Sequence, residues 1–176
     1  KYKQNIYALS NDGTPYRSLD TEYPWTPPTD FDFTNNLWEK HPDNPFQRNI
    51  SDNGIPRSVL RVRHTSVRVV GDELHIFYSR RGDSPERIQM SVVDLSVGDW
   101  ELWDSTYPPI ELFQANPGWE GGEFSSEPSE IGSAPENVNQ LRDPYLFEDN
   151  NGLLYLFYTG RGEDAIGIVA MTYTIQ

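Results

Sequence analysis

Cysteine is absent from the 176 residues. That excludes disulfides, thiol nucleophiles and cysteine-based zinc sites, and it leaves the redox compartment open. Long apolar runs are absent too. None approaches the roughly 18 residues that a membrane helix needs, so no membrane partner is expected. Positive charge is scarce. Lys and Arg number 14 against 27 Asp and Glu, a formal charge of −13 with three His counted neutral. A field of that sign repels nucleic-acid phosphates and anionic membranes, and its simplest role is solubility. Phosphate loops, nucleophile elbows and dinucleotide fingerprints are missing. His41, His64 and His75 lack the spacing of metal ligands. Neither a metal nor a cofactor is expected.

Helical periodicity is lacking as well. Proline (14) and glycine (13) punctuate the chain every few residues, whereas aromatics make up 13%. Such a chain folds, and it folds without long helices. Its apolar runs are short, β-branched or aromatic, and alternating. Val67 and Val69, then Leu74, Ile76 and Tyr78, and later Leu154, Leu156 and Tyr158, fall on every second position. The fold class expected is all-β.

Two segments repeat about 80 residues apart. The first runs Arg63-His64-Thr65-Ser66-Val67-Arg68-Val69-Val70, turns at Gly71-Asp72, and returns as Leu74-His75-Ile76-Phe77-Tyr78-Ser79-Arg80-Arg81-Gly82-Asp83. The second runs Arg142-Asp143-Pro144-Tyr145-Leu146-Phe147-Glu148, turns at Asn150-Asn151-Gly152, and returns as Leu154-Tyr155-Leu156-Phe157-Tyr158-Thr159-Gly160-Arg161-Gly162-Glu163. Each copy then enters a third strand, Arg87 to Asp94 or Ile166 to Thr174. In the first copy Trp100-Glu101-Leu102-Trp103 reads as a fourth. Near the N-terminus, Ile6 to Ser10, an Asn11-Asp12-Gly13 turn and Tyr16 to Leu19 fit the outer half of a similar unit. Repeated four-stranded antiparallel units suggest propeller blades.

The organisation expected is therefore one partial propeller domain over 1–176. It has an outer half-blade at 1–19, a complete blade at 58–104, three strands at 141–176, and long loops at 20–57 and 105–140. The loops carry anchoring aromatics: Trp25, Trp38, Phe46, Phe113 and Trp119. Two and a bit blades do not close a ring. Either the chain is part of a longer protein, or copies complete one another through open blade edges in a homo-oligomer. The start, Lys1-Tyr2-Lys3, has neither an initiator Met nor the apolar core of a signal peptide, and localisation stays open.

Leu141-Arg142-Asp143-Pro144, with Tyr155 to Gly160, Ile166 to Ala170 and the strand Ile6 to Gly13, resembles the five-bladed propeller glycoside hydrolases, families 43 and 32 and their relatives. The resemblance covers most of 1–19 and 58–176. It implies a carbohydrate partner bound in a central funnel lined by carboxylates. Glycoside cleavage needs a general acid and a base or nucleophile, both usually carboxyl groups. Asp143, after Arg142, is the residue the resemblance points to for transition-state stabilisation. Arg142 is expected to hold it ionised and to meet sugar hydroxyls. His64, beside Arg63, takes the equivalent place in the first copy. The general acid is sought in Trp119-Glu120-Gly121-Gly122-Glu123, Glu120 ahead of Glu123, or in Glu127 and Glu130. Trp119, like Trp25 and Trp38, is a candidate stacking surface for a sugar, with packing between blades as the alternative. The early carboxylate motif of those families has no match, and Asp12 in its hairpin turn is a poor substitute. Hydrolysis by this chain alone is therefore not expected. A non-catalytic carbohydrate-binding module, or a purely architectural half-propeller, is the alternative.

Two short patterns carry less. Arg81-Gly82-Asp83 spells an integrin-type tripeptide, yet its copy is Arg161-Gly162-Glu163, so a turn is the better reading. Asn49-Ile50-Ser51 is a chance glycosylation sequon.

Overall fold

The computed structural model describes residues 1–18, 38–46, 51–52, 55–56 and 61–172. The chain is all-β with antiparallel sheets, none of them closed. Strands β1 (Tyr7–Leu9), β2 (Pro15–Ser18) and β3 (Trp38–Lys40) form a first sheet. Strands β4 (Ser51–Asp52) and β5 (Ile55–Pro56) make a short ladder. Strands β6 (Arg61–Val70), β7 (Glu73–Arg81), β8 (Ile88–Asp94) and β9 (Ile110–Phe113) form a four-stranded meander. Strands β10 (Arg142–Glu148), β11 (Leu154–Gly160) and β12 (Ala165–Met171) form the last sheet.

The repeat sets the hairpins. Gly71 opens the β6–β7 turn at φ +61°, a sign that suits a right-twisted hairpin and that glycine adopts without strain. The β10–β11 turn is longer. There the Asp149 carboxylate accepts the backbone N–H groups of Asn151 at 2.8 Å and Leu153 at 2.9 Å.

Strand alternation then divides the core in two. Ile76 and Tyr78 of β7 join Phe46, Val62, Val93, Leu95, Trp100 and Trp103. Tyr7 and Leu9 of the first sheet pack against this cluster. Phe77, on the opposite face of β7, joins Ile88, Leu141, Leu156 and Tyr158. Strand β7 is thus buried on both faces, with the first sheet packed on one side and the last on the other. Strands β6 and β10 lie side by side, with the Leu146 amide donating to Ser66 Oγ at 2.9 Å.

Three sequence expectations are corrected here. Trp100-Glu101-Leu102-Trp103 is not the fourth strand. Residues Trp100–Leu102 form a 3-10 turn, with the Asp99 side chain accepting the Glu101 amide. Residues three apart share a side of such a turn, so both indoles enter the core, edge to face at 6.3 Å. On a strand they would point to opposite faces. The fourth strand is β9, inside the expected loop 105–140 and past the blade boundary at 104. The expected loop 20–57 likewise contains β3, which extends the first sheet and carries Trp38. Leu19, Trp25, Asn49, Ile50, residues 58–60 and Thr174 lie outside the described residues.

The 114–141 stretch has no strand, but it is well tied down. Asn139 Nδ2 donates to the Gly122 carbonyl at 3.1 Å, and the Leu141 amide to the Glu86 carbonyl at 2.9 Å. Arg81-Gly82-Asp83 is a turn with Gly82 at φ +91°, and the Asp83 carboxylate is buried against Arg80 at 3.0 Å. No helix among the described residues is long and apolar enough to cross a membrane.

Candidate functional site

The first strands of the two repeated units both open with a register slip, β6 between Arg63 and Ser66 and β10 between Arg142 and Tyr145. Such bulges re-aim side chains. At each slip the residue after the arginine adopts a left-handed backbone, His64 at φ +51° and Asp143 at φ +54°. Asp and His are among the side chains that tolerate this region best. Because β6 and β10 are neighbours, the two bulges meet, and His64 Nδ1 bonds Asp143 Oδ1. Thr159 Oγ1 donates to Asp143 Oδ2 at 3.2 Å.

An ionised carboxylate only accepts hydrogen bonds, so the proton of the neutral imidazole sits on Nδ1 and Nε2 carries the lone pair. The His64 side chain is 47% exposed, and its Nε2 has no partner among the described residues. Burial, and then the Arg63 guanidinium, push the imidazole below its ordinary value, against the Glu163 carboxylate.

A buried ionic frame stands behind this pair. Arg142 is 1% exposed. Its Nε lies 3.3 Å from Glu86 Oε2, and its Nη1 donates to Glu163 Oε1 at 2.8 Å and to the Gly132 carbonyl at 3.3 Å. Its Nη2 donates to Gln140 Oε1. Arg63 lies 3.6 Å from the same Glu86 oxygen and reaches the Glu130 and Gly132 carbonyls. Burial pushes the Glu86 carboxyl up, against the Ser79 hydroxyl, which donates at 2.6 Å, and the two arginines. The expected Arg142–Asp143 contact is therefore not made. Arg142 braces the loop behind the bulge, and Asp143 is held instead by His64 and Thr159.

An open cleft of about 650 Å³ runs in front of the frame, lined by Asp12, Arg61, Arg63, His64, Arg81 and Glu163 among others. The β1–β2 turn closes one side, with the His64 amide donating to the Asn11 carbonyl at 3.0 Å. Burial alone would raise the Asp12 carboxyl, but hydrogen bonds from Ser10 and Thr14 outweigh it and hold the group below the usual carboxylate range.

The structure brings His64, Arg63, Arg142 and Asp143 together. It does not bring Glu120, Glu123 or Trp119 to them. Tyr158 and Thr159 are consecutive on β11 and so face opposite sides of the sheet. Thr159 holds Asp143, whereas the Tyr158 hydroxyl donates to Glu120 Oε1. Glu120 Oε2 accepts the Asn116 amide at 2.6 Å and Asn116 Nδ2 at 2.9 Å. Glu120 is buried and fully occupied on the far face, so the first-ranked acid is a structural clamp. Glu123 is exposed and accepts the Gly118 amide at 2.9 Å. Backbone N–H groups of its own residue and of Gly118 hold its carboxyl low. Trp119 stacks on Tyr158 at 6.1 Å, which is packing between loop and sheet.

Among the charged cleft residues, Arg61, Arg81 and Glu163 were not proposed for the site from the sequence, and Asp12 was set aside as a turn residue. Arg61 and Arg81 become a pair only once the β6–β7 register is known. Among the described residues no cluster of His, Asp and Glu is placed to hold a metal ion.

These features define an all-β protein whose stacked sheets carry a polar cleft beside the bulged starts of two neighbouring strands, β6 and β10. An uncharacterized protein of Acanthamoeba polyphaga mimivirus is 44% identical to this chain over 121 residues, 69% of this chain and 33% of that protein. The chain spans about a third of the length of that relative. No family model matches the chain, and no solved structure matches it.

Proposed function

We propose that the chain is part of a β-propeller of the glycoside hydrolase type and that the cleft before His64 and Asp143 binds carbohydrate. The observation that carries this reading is the meeting of two equivalent, bulged, left-handed residues of different chemistry, one of which, His64, lines the cleft. Strained backbone at functional side chains is a feature of binding and catalytic sites. Asp143 offers a carboxylate for sugar hydroxyls. The free Nε2 of His64 offers an acceptor beside it, and the Glu86–Arg142 frame fixes both strands from behind.

Binding is favoured over hydrolysis. A glycosidase needs an acid on the leaving oxygen as well as a base or nucleophile. Glu120 is committed elsewhere, and Glu163 is paired with Arg142. Hydrolysis is the second reading, favoured by one observation: a half-exposed imidazole with an unpartnered Nε2, oriented by a carboxylate on Nδ1, can take a proton from water.

Calorimetry against a glycan panel, with turnover of the same glycans followed by chromatography, tests both. The expected result is binding without cleavage, lost in Asp143→Ala and His64→Ala. Absence of binding to every glycan would sink the carbohydrate reading. Turnover abolished by Asp143→Ala would replace binding by hydrolysis.

A further inference from the structure

We propose that this cleft selects an anionic sugar, one carrying a carboxylate of the uronic-acid type, and that Arg61 and Arg81 hold its charge. The inference rests on the carbohydrate reading above and names the substrate class. It starts from an imbalance among the arginines. In this acidic chain Arg17, Arg63, Arg68, Arg80, Arg87, Arg142 and Arg161 each have a carboxylate oxygen within 4.0 Å. Among the described residues, Arg61 and Arg81 alone of the arginines have none.

Nor are these two scattered on the surface. The β6–β7 register sets Arg61 directly opposite Arg81, and both line the cleft. Directly paired cross-strand residues point to the same face with Cβ atoms about 4.5–5.5 Å apart, and like charges there repel. A protein with 27 acidic residues that leaves this pair uncompensated has kept a place for an outside anion.

The cleft's own carboxylates do not fill that place. Asp12 is held by Ser10 and by the Thr14 amide at 3.1 Å, and Glu163 by Arg142 at 2.8 Å. Guanidinium groups match carboxylates in a planar, two-pronged geometry. A sugar with its carboxylate on Arg61 and Arg81 would leave its hydroxyls to His64 and the exposed Ser133 of the same cleft, with Asp143 bonded to His64.

The experiment is calorimetry at low ionic strength with a panel of uronic-acid oligosaccharides and their uncharged methyl esters, with sodium acetate and sodium sulfate alone as a further arm. The acid forms are expected to bind at least about tenfold tighter than the esters, as a charge-assisted pair implies, and to weaken with added salt. In Arg61→Gln, Arg81→Gln and the double variant that preference falls to near unity. Their melting temperatures hold or rise because a repulsion is removed.

Equal affinity for acid and ester would overturn the charge assignment and leave the carbohydrate reading standing. Binding of acetate or sulfate at the arginines with no affinity for any sugar would overturn the sugar assignment, and the carbohydrate reading with it. A preference for the acid form that survives in the double variant would overturn the role of Arg61 and Arg81. Circular dichroism of each variant separates these outcomes from unfolding.

Discussion

A side chain at a left-handed backbone costs about 1–2 kcal/mol relative to its right-handed form. His64 and Asp143 both sit there. Both glycine and alanine at 64 lose the His64–Asp143 bond, but glycine relieves the backbone cost whereas alanine keeps it. Thermal melts of His64→Gly and His64→Ala should therefore differ. The glycine variant is expected within a few degrees of the parent, and the alanine variant lower by about 1 kcal/mol, roughly 2–4 °C for a chain of this size. Both should lose carbohydrate binding. Equal and large losses of stability in the two variants would make the position structural. Glu120→Gln tests the opposite assignment. The amide oxygen can keep the Asn116 N–H groups and the NH2 group can donate to the Tyr158 hydroxyl, but charge-assisted bonds become neutral ones, at a cost of about 1 kcal/mol. Its effect on ligand affinity should be absent, which titration of the folded variant checks. At this scale the sequence was informative where chemistry follows from position in the repeat. Asp143 and His64 stand at matching places, and the change from one to the other marked both. Glu120 shows the limit. A glutamate after a tryptophan and before two glycines suits a ligand-facing loop and a buried clamp equally, and only the face presented by Tyr158 decides between them.

Strand pairing decides what a loop can reach. Trp119, Glu120, Tyr158 and Gly167 form one clamp between the 114–141 stretch and the last sheet. Gly167 of β12 lies directly opposite Tyr158 of β11, and a Cβ there would intrude on both the Tyr158 and Trp119 rings. Gly167→Ala is expected to displace Trp119 and weaken the Tyr158–Glu120 bond at a cost of about 1–3 kcal/mol, seen as a lower melting temperature. The clamp also has a pH signature. Burial first and the Glu120 hydrogen bond second raise the Tyr158 phenol above its ordinary value. Its folded-state pKa thus exceeds its unfolded one, so the contribution is fully present below about pH 10 and is lost as pH rises through the alkaline range. Melting temperature followed from pH 8 to pH 11 should fall less steeply in Tyr158→Phe than in the parent. An identical slope would remove Tyr158 from that limb. Elements were legible where alternation and turn residues coincide, as in β6, β7, β10 and β11. They were not legible in β3 and β9, which have three and four residues and, unlike the equally short β1 and β2, no Asn-Asp-Gly turn beside them to mark a hairpin. Trp100 and Trp103 misled because two aromatics in four residues fit a strand by composition, while their spacing fits a 3-10 turn.

The stacking of sheets leaves one face without a neighbour among the described residues. Leu154, Leu156 and Tyr158 of β11 are buried, with Leu156 and Tyr158 packed toward the middle sheet, while the residues between them face the other way. The register places Tyr145, Phe157 and Ile168 in one cross-strand row and Ile166 beside Thr159, with Phe147 opposite Tyr155. Tyr145 is 62% exposed, Ile166 76% and Ile168 56%. Fully burying a large apolar side chain is worth about 1.5–3 kcal/mol. These residues are already partly covered, so five of them on each of two copies would return roughly 8–15 kcal/mol. Association costs about 4–15 kcal/mol in lost freedom and ordering. The balance is small, which argues for weak, concentration-dependent pairing of the chain studied alone. Sedimentation velocity over a hundredfold concentration range is expected to show a shift toward dimer that high salt does not abolish. Ile166→Lys with Ile168→Lys should hold the chain monomeric and leave ligand affinity unchanged, since both residues lie outside the cleft. A parent chain that stays monomeric to millimolar concentration would show that this apolar row is too small to drive pairing.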